Sequence, residues 1–150
     1  MKYVVVMWGV LLTTLWGGVA PAAETSPMIQ TLRSLADHGD MAAQVRIGRL
    51  YEAGEGVGRD MVEAARWYRM AAEQGNRPAQ AALGRLHAQG TGVAVDPVRA
   101  HVWLSLALSG PTAGTDDHDR LAALRAEVAA SLAPDQLAEA ERLARAWKPR

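Results

Sequence analysis

The chain contains no cysteine and no phenylalanine. Without thiols it cannot hold a disulfide, an iron–sulfur cluster or a thiolate zinc site, so its fold has to rest on packing. It also lacks an excess of either charge, with 16 Lys and Arg against 16 Asp and Glu in 150 residues. That balance argues against nucleic acid as a partner, because polyanion binding normally leaves a clear basic surplus. Beyond the N-terminal segment β-branched residues are few, and Ala, Leu, Arg and Glu dominate. These are strong helix formers, so the composition points to an all-α protein.

The one long uncharged run stands at the start, "MKYVVVMWGVLLTTLWGGVAPAAE". Lys2 is followed by Val4 to Val19 without a charge, and then by Ala20-Pro21-Ala22 with small residues at the A-x-A positions. This pattern reads as a secretory signal peptide over residues 1–22, cut after Ala22. The run falls short of the roughly 20 apolar residues that span a bilayer. A mature chain in the periplasm or outside the cell is therefore expected. An uncleaved leader would instead leave the protein at the inner membrane.

The stretch Ala43 to Ala71, laid over Ala79 to Ala107, matches at 13 of 29 positions with an offset of 36. The shared residues include Gly48/Gly84, Leu50/Leu86, Gly54/Gly90, Gly56/Gly92, Ala64/Ala100, Trp67/Trp103 and Ala71/Ala107. A repeat at this period signals stacked helical hairpins. It also explains "EAGEGVGRD", residues 52–60. A phosphate loop would be built once and followed by Lys-Ser or Lys-Thr, whereas this glycine pair recurs and no such lysine follows. The glycines are expected to stop one helix and turn the chain tightly into the next.

Each repeat then parses into two helices. Asp40 and Asn76 cap the first of each, about Met41 to Ala53 and Arg77 to Gln89. Asp60 caps the second helix of the first repeat, which runs to about Gln74, and Glu63 completes a capping-box pattern. Asp96-Pro97 opens the equivalent helix, which ends near Ser109. An incomplete repeat precedes them over 26–40, with Met28, Leu32, Leu35 and Ala36 on one stripe. Full repeats occupy 41–75 and 76–110. A capping pair follows over 115–148, opened by Thr115 and Pro134, with Leu121, Leu124 and Val128 on one helix and Leu137, Ala140, Ala144 and Trp147 on the other. Seven helices in an α-α superhelix follow from this parse.

The segment "LYEAGEGVGRDMVEAARWYRMAAEQG" resembles a Sel1-like repeat, a relative of the tetratricopeptide repeat, and the leader suits an exported bacterial member. Gly48, Ala64, Ala71, Gly84, Ala100 and Ala107 are small enough for helices to approach closely, with Tyr68 on the same helix as Ala64 and Ala71. Leu50, Trp67, Leu86 and Trp103 are expected to fill the space between them. His87 stands where the first repeat has Tyr51 and reads as a buried, hydrogen-bonded side chain; His101 is expected to face solvent.

Chemistry is scarce. No histidine pair has metal-ligand spacing, no serine sits in a nucleophile turn, and the acidic run Asp116 to Asp119 suits the positive end of a helix dipole. No enzyme, metal or small-molecule cofactor is expected. A stack of hairpins does offer a concave face lined by the first helix of each repeat. Arg46, Arg49 and Arg85 on those helices form a row that could meet carboxylates on a partner, with Gln44, Gln80 and Gln89 adding hydrogen bonds. Arg49 could also pair with Glu52, and Arg69 with Glu73. The resemblance implies an adaptor or regulator that binds another protein of the cell envelope through this face. The rival expectations are a peptidoglycan-binding protein or hydrolase and a structural homo-oligomer.

Overall fold

The computed structural model describes residues 26–110 and 116–150; the leader and the Thr115 cap lie outside the described residues. Among the described residues there are seven helices and no strand. They are α1 (Pro27–Asp37), α2 (Met41–Ala53), α3 (Met61–Glu73), α4 (Arg77–Gln89), α5 (Pro97–Ala107), α6 (Asp116–Ser131) and α7 (Pro134–Ala146). Consecutive helices pack on one another from α1 to α6, which makes an all-α solenoid of hairpins. The last helix departs from that rule: α7 packs chiefly on α5, so α5 is covered by α6 on one side and α7 on the other.

Local chemistry sets the helix ends. The carboxylate of Asp40 accepts from the Ala43 N–H and the amide of Asn76 from the Ala79 N–H, at 2.7 and 3.0 Å. Asp60 accepts from both Val62 and Glu63 N–H groups, at 2.9 and 3.0 Å. The reciprocal half of the expected capping box is absent, because the Glu63 carboxylate pairs with Arg66 at 3.0 Å and the Asp60 N–H donates to Tyr51 O. At the other ends of α2 and α4, Gly54, Gly56, Gly90 and Gly92 all take positive φ, between 68° and 74°. The recurring glycines therefore serve the backbone of the turn.

Helix contact explains the glycines inside the helices. A Cβ on Gly48 would lie 2.7 Å from the Tyr68 ring, and one on Gly84 would lie 2.8 Å from Leu104 Cγ, the same place one repeat later. Around these contacts Ile47, Trp67, Tyr68, Leu83, Leu86 and Leu104 are buried, together with Ala64, Ala71 and Ala100. Leu50 is half-buried. Trp103 is half-buried too, since it meets Trp147 edge-on, with centroids 6.3 Å apart, at the boundary with the last helix.

Two expectations about burial need correction. On α1 the inward stripe is Ile29, Leu32 and Ala36; Met28 and Leu35 point outward, a shift of about one residue in the face chosen. His101 is only 6% exposed: its counterpart in the earlier repeat, Ala65, is buried too at 2%, and His101 lies beside Arg125 of α6 and Glu141 of α7. Beyond α7 the tail returns to the first full repeat. Pro149 lies against Gly75, and the Arg150 N–H donates to Glu73 O at 2.9 Å.

Candidate functional site

First helices of successive hairpins line up side by side, and here α2, α4 and α6 line a groove of about 610 Å³. Along α4 the residues Arg77, Ala81 and Arg85 recur every fourth position and so share one face. Arg49 and Glu52 enter from α2, Asp117 and Arg120 from the start of α6. Ala82, Leu108 and Leu121 add an apolar surface between the charged groups.

Glu52 organises one end of the groove. Tyr68 Oη donates to it at 2.6 Å and Arg85 Nη2 donates at 2.7 Å. Burial opposes ionisation of this carboxyl, yet the hydrogen bonds from Tyr68 and Arg85, and the charges of Arg85 and Arg49, hold it below the ordinary 4.5. Burial and the bond to Glu52 push the Tyr68 hydroxyl far above its usual range, so it remains a donor. Arg85 thus joins one repeat to the previous one. Arg49 is not the partner of Glu52, because Tyr68 and the next repeat claim that carboxylate. Glu73 likewise meets Arg150 at 3.8 Å in place of Arg69.

Arg49 and Arg77 are exposed and have no ion-pair partner among the described residues. Arg120 and Asp117 lie 3.7 Å apart and largely in water, where such a pair contributes little. Four guanidinium groups face two carboxylates in the groove.

The expected partner-binding residues therefore divide. Arg49 and Arg85 line the groove; Arg46 and Gln89 are exposed but lie outside its wall. Gln44 and Gln80 are 1% and 2% exposed and are not available to a partner. Gln44 Nε2 donates to Ala36 O at 3.0 Å, and Gln80 Nε2 donates to Ala72 O at 3.2 Å. Each glutamine thus adds a second hydrogen bond to a carbonyl at the C-terminal end of the preceding helix, which also accepts from the Gly39 or Gly75 N–H. Arg77, Asp117 and Arg120 escaped the sequence reading. The eight-residue spacing from Arg77 to Arg85, two steps of four along one helix face, was the available signal; the approach of α6 left none.

A second hollow, of about 370 Å³, lies between α5, α6 and α7 and includes His101, Ser105, Arg125 and Glu141. Ser105 Oγ and His101 Nδ1 are 3.5 Å apart on one helix, while Glu141 pairs with Arg145 at 3.5 Å. Among the described residues no carboxylate hydrogen-bonds the imidazole, so the group shows no nucleophile, base and orienter in series.

The two buried imidazoles carry a pH dependence. Burial holds His87 below the ordinary 6.5, and Arg99 and Arg69 add to this against the Ala94 carbonyl and Asp96. Burial also lowers His101, helped by Arg125 and opposed by Glu141. The unfolded chain then takes up protons before the folded one does, so stability declines as the pH drops through the unfolded value of about 6.5. Glu52 adds a separate loss at lower pH, as protonation of a carboxyl held below 4.5 in the fold removes its pairing. The melting temperature is expected to fall between about pH 7 and pH 5, with a shallower slope in His87→Gln/His101→Gln. An unchanged slope in that variant would show that the imidazoles are not its origin.

Comparison with known proteins identifies the modules. The Sel1 repeat model matches residues 42–76 and 77–110, one residue inside the frames read from the sequence at their start. A protective antigen of uropathogenic Escherichia coli with an SLR fold is 33% identical over 79% of this chain, with a TM-score of 0.68. A Sel1 repeat protein from Oxalobacter formigenes is 38% identical over 63% of this chain, with a TM-score of 0.58. This chain spans 24% of the first and 27% of the second, about a quarter of each. No curated protein matches.

Proposed function

From the premise that this chain carries two Sel1 repeats in tandem, a module that mediates protein–protein interaction, we propose that it is an exported adaptor which captures a partner protein in the groove between α2, α4 and α6. The supporting observation is the groove itself. It is lined by three successive hairpins and carries exposed cationic side chains, Arg49 and Arg77, that form no ion pair among the described residues. The leader-like N terminus supports a place in the bacterial envelope, with the periplasm as the working compartment. In this reading the protein is not an enzyme; it regulates or assembles the partner that it holds.

A photocrosslinking residue placed at Ala82, on the groove wall, is expected to trap an envelope protein in living cells. The same residue at Val62, exposed on α3 and outside the groove, is expected to trap far less. Equal yields from the two positions would overturn the groove as the binding face. Attached glycan fragments would favour the peptidoglycan reading, and self-adducts the homo-oligomer.

Charge reversal supplies the complementary test. Arg49→Glu/Arg77→Glu is expected to reduce capture at least about tenfold at moderate salt while helicity holds, since both side chains are exposed and lie outside the hydrophobic core. Arg85→Glu is less informative, because it would set two carboxylates against each other at Glu52 and disturb the repeats themselves. Undiminished capture by the double variant would exclude the groove cations from recognition.

A further inference from the structure

We infer that the groove recognises an extended acidic peptide segment with two carboxylates four residues apart and an apolar side chain midway between them. The inference deepens the protein-capture reading and rests on it. The charged side chains of the groove fall into two clusters. At one end Arg49 and Arg85 outweigh Glu52 by one positive charge; at the other Arg77 and Arg120 outweigh Asp117 by one. An occupant carrying two negative charges balances the lining. Arg85 already donates to Glu52, but a guanidinium has five N–H donors and Arg49 stands beside it, so this end can still take a carboxylate.

The spacing follows from α4. Arg77 and Arg85 are eight positions apart, which at 1.5 Å per residue separates their Cα atoms by about 12 Å along the helix axis. An extended peptide advances roughly 3.3 Å per residue, so a step of four residues covers about 13 Å. Residues four apart in an extended chain also point to the same side, as does the residue midway. That middle side chain would rest on Ala81 and Ala82, flanked by Leu108 and Leu121. The pattern is acidic, any, apolar, any, acidic. A glycan fits less well, because the lining offers no Asn, Gln or Trp, and the Tyr68 hydroxyl is committed to Glu52.

The test uses the protein as recovered from expressing cells and three labelled peptides of about nine residues, followed by fluorescence anisotropy. One carries Glu-Ala-Leu-Ala-Glu, one has the same composition with adjacent glutamates, and one has glutamine at both acidic positions. The spaced peptide is expected to bind at least about tenfold more tightly than either of the others, and to weaken as salt rises. Arg77→Gln and Arg49→Gln should each bring it toward the glutamine control, with unchanged circular dichroism. Equal binding of all three peptides, or indifference to Arg77→Gln, would overturn the inference, as would binding of muropeptide fragments with none of the peptides. Should crosslinking at Ala82 capture a protein while the spaced peptide shows no preference, the adaptor reading stands and the acidic spacing fails.

Discussion

Trp67→Ala is expected to lower the unfolding free energy by about 3 to 5 kcal/mol, the usual range for removing a large buried ring. Trp67 is 1% exposed and sits in the main core with Ile47, Tyr68 and Leu83. Alanine would leave a cavity between helices of adjacent repeats, and the chain has no disulfide to hold those helices while the core relaxes. Its indole N–H has no acceptor among the described residues. Trp67→Phe should therefore cost much less than Trp67→Ala, since it keeps most of the ring and removes an unpaired donor. The repeat aligns Trp103 with Trp67 and suggests an equal effect there. Because Trp103 is only half-buried, against Trp147, its truncation is expected to cost about 1 to 3 kcal/mol. Urea unfolding of the variants checks the order, and a Trp103→Ala loss as large as that of Trp67→Ala would contradict it.

Gly92→Val should be nearly as damaging, at about 2 to 5 kcal/mol. Gly92 has φ of 71°, a left-handed conformation that costs a residue with a Cβ about 1 to 2 kcal/mol. The added atoms would also fall on the Met61 carbonyl at the start of α3, and such overpacking costs about 1 to 3 kcal/mol more. Gly58 gives the contrast within the matching loop. Nothing lies within 4 Å of a Cβ built on it, its φ is outside the left-handed region, and the next repeat has Ala94 at its place. Gly58→Ala is expected to be neutral or to stabilise by about 0.4 to 1 kcal/mol, by restricting the unfolded chain. Equal stability of the two variants in urea would show that backbone demand does not distinguish these glycines.

Much of the fold was legible because neighbouring repeats state the same instruction twice. Asp40 and Asn76 announce helix starts, Gly54 and Gly90 announce stops, and Gly48 and Gly84 mark where helices touch. The groove was legible only in part, since Arg49 and Arg85 lie on helices whose faces the period defines. Gln44 and Gln80 were misread because a polar residue on a first helix suggests a wet surface, while their amides in fact donate to carbonyls of the preceding helix. His101 was misread for a different reason: an ionisable residue at the place of Ala65 suggests water, yet that place is buried in both repeats. A near-uniformly apolar helix is buried on all sides, and "PVRAHVWLSLA" carried that signal around His101.

Linear arrays ordinarily unzip, each layer holding only its neighbours, so an end can fray while the middle persists. The last residues of this chain oppose fraying at the C-terminal end. Trp147 is wedged against Trp103, and Arg150 is tied to Glu73 through both its backbone and its guanidinium. Peeling away the final helix must also loosen the end of α3, four elements earlier. From α3 to α7 the contacts accordingly close into a latched ring, and that part should melt in one concerted step.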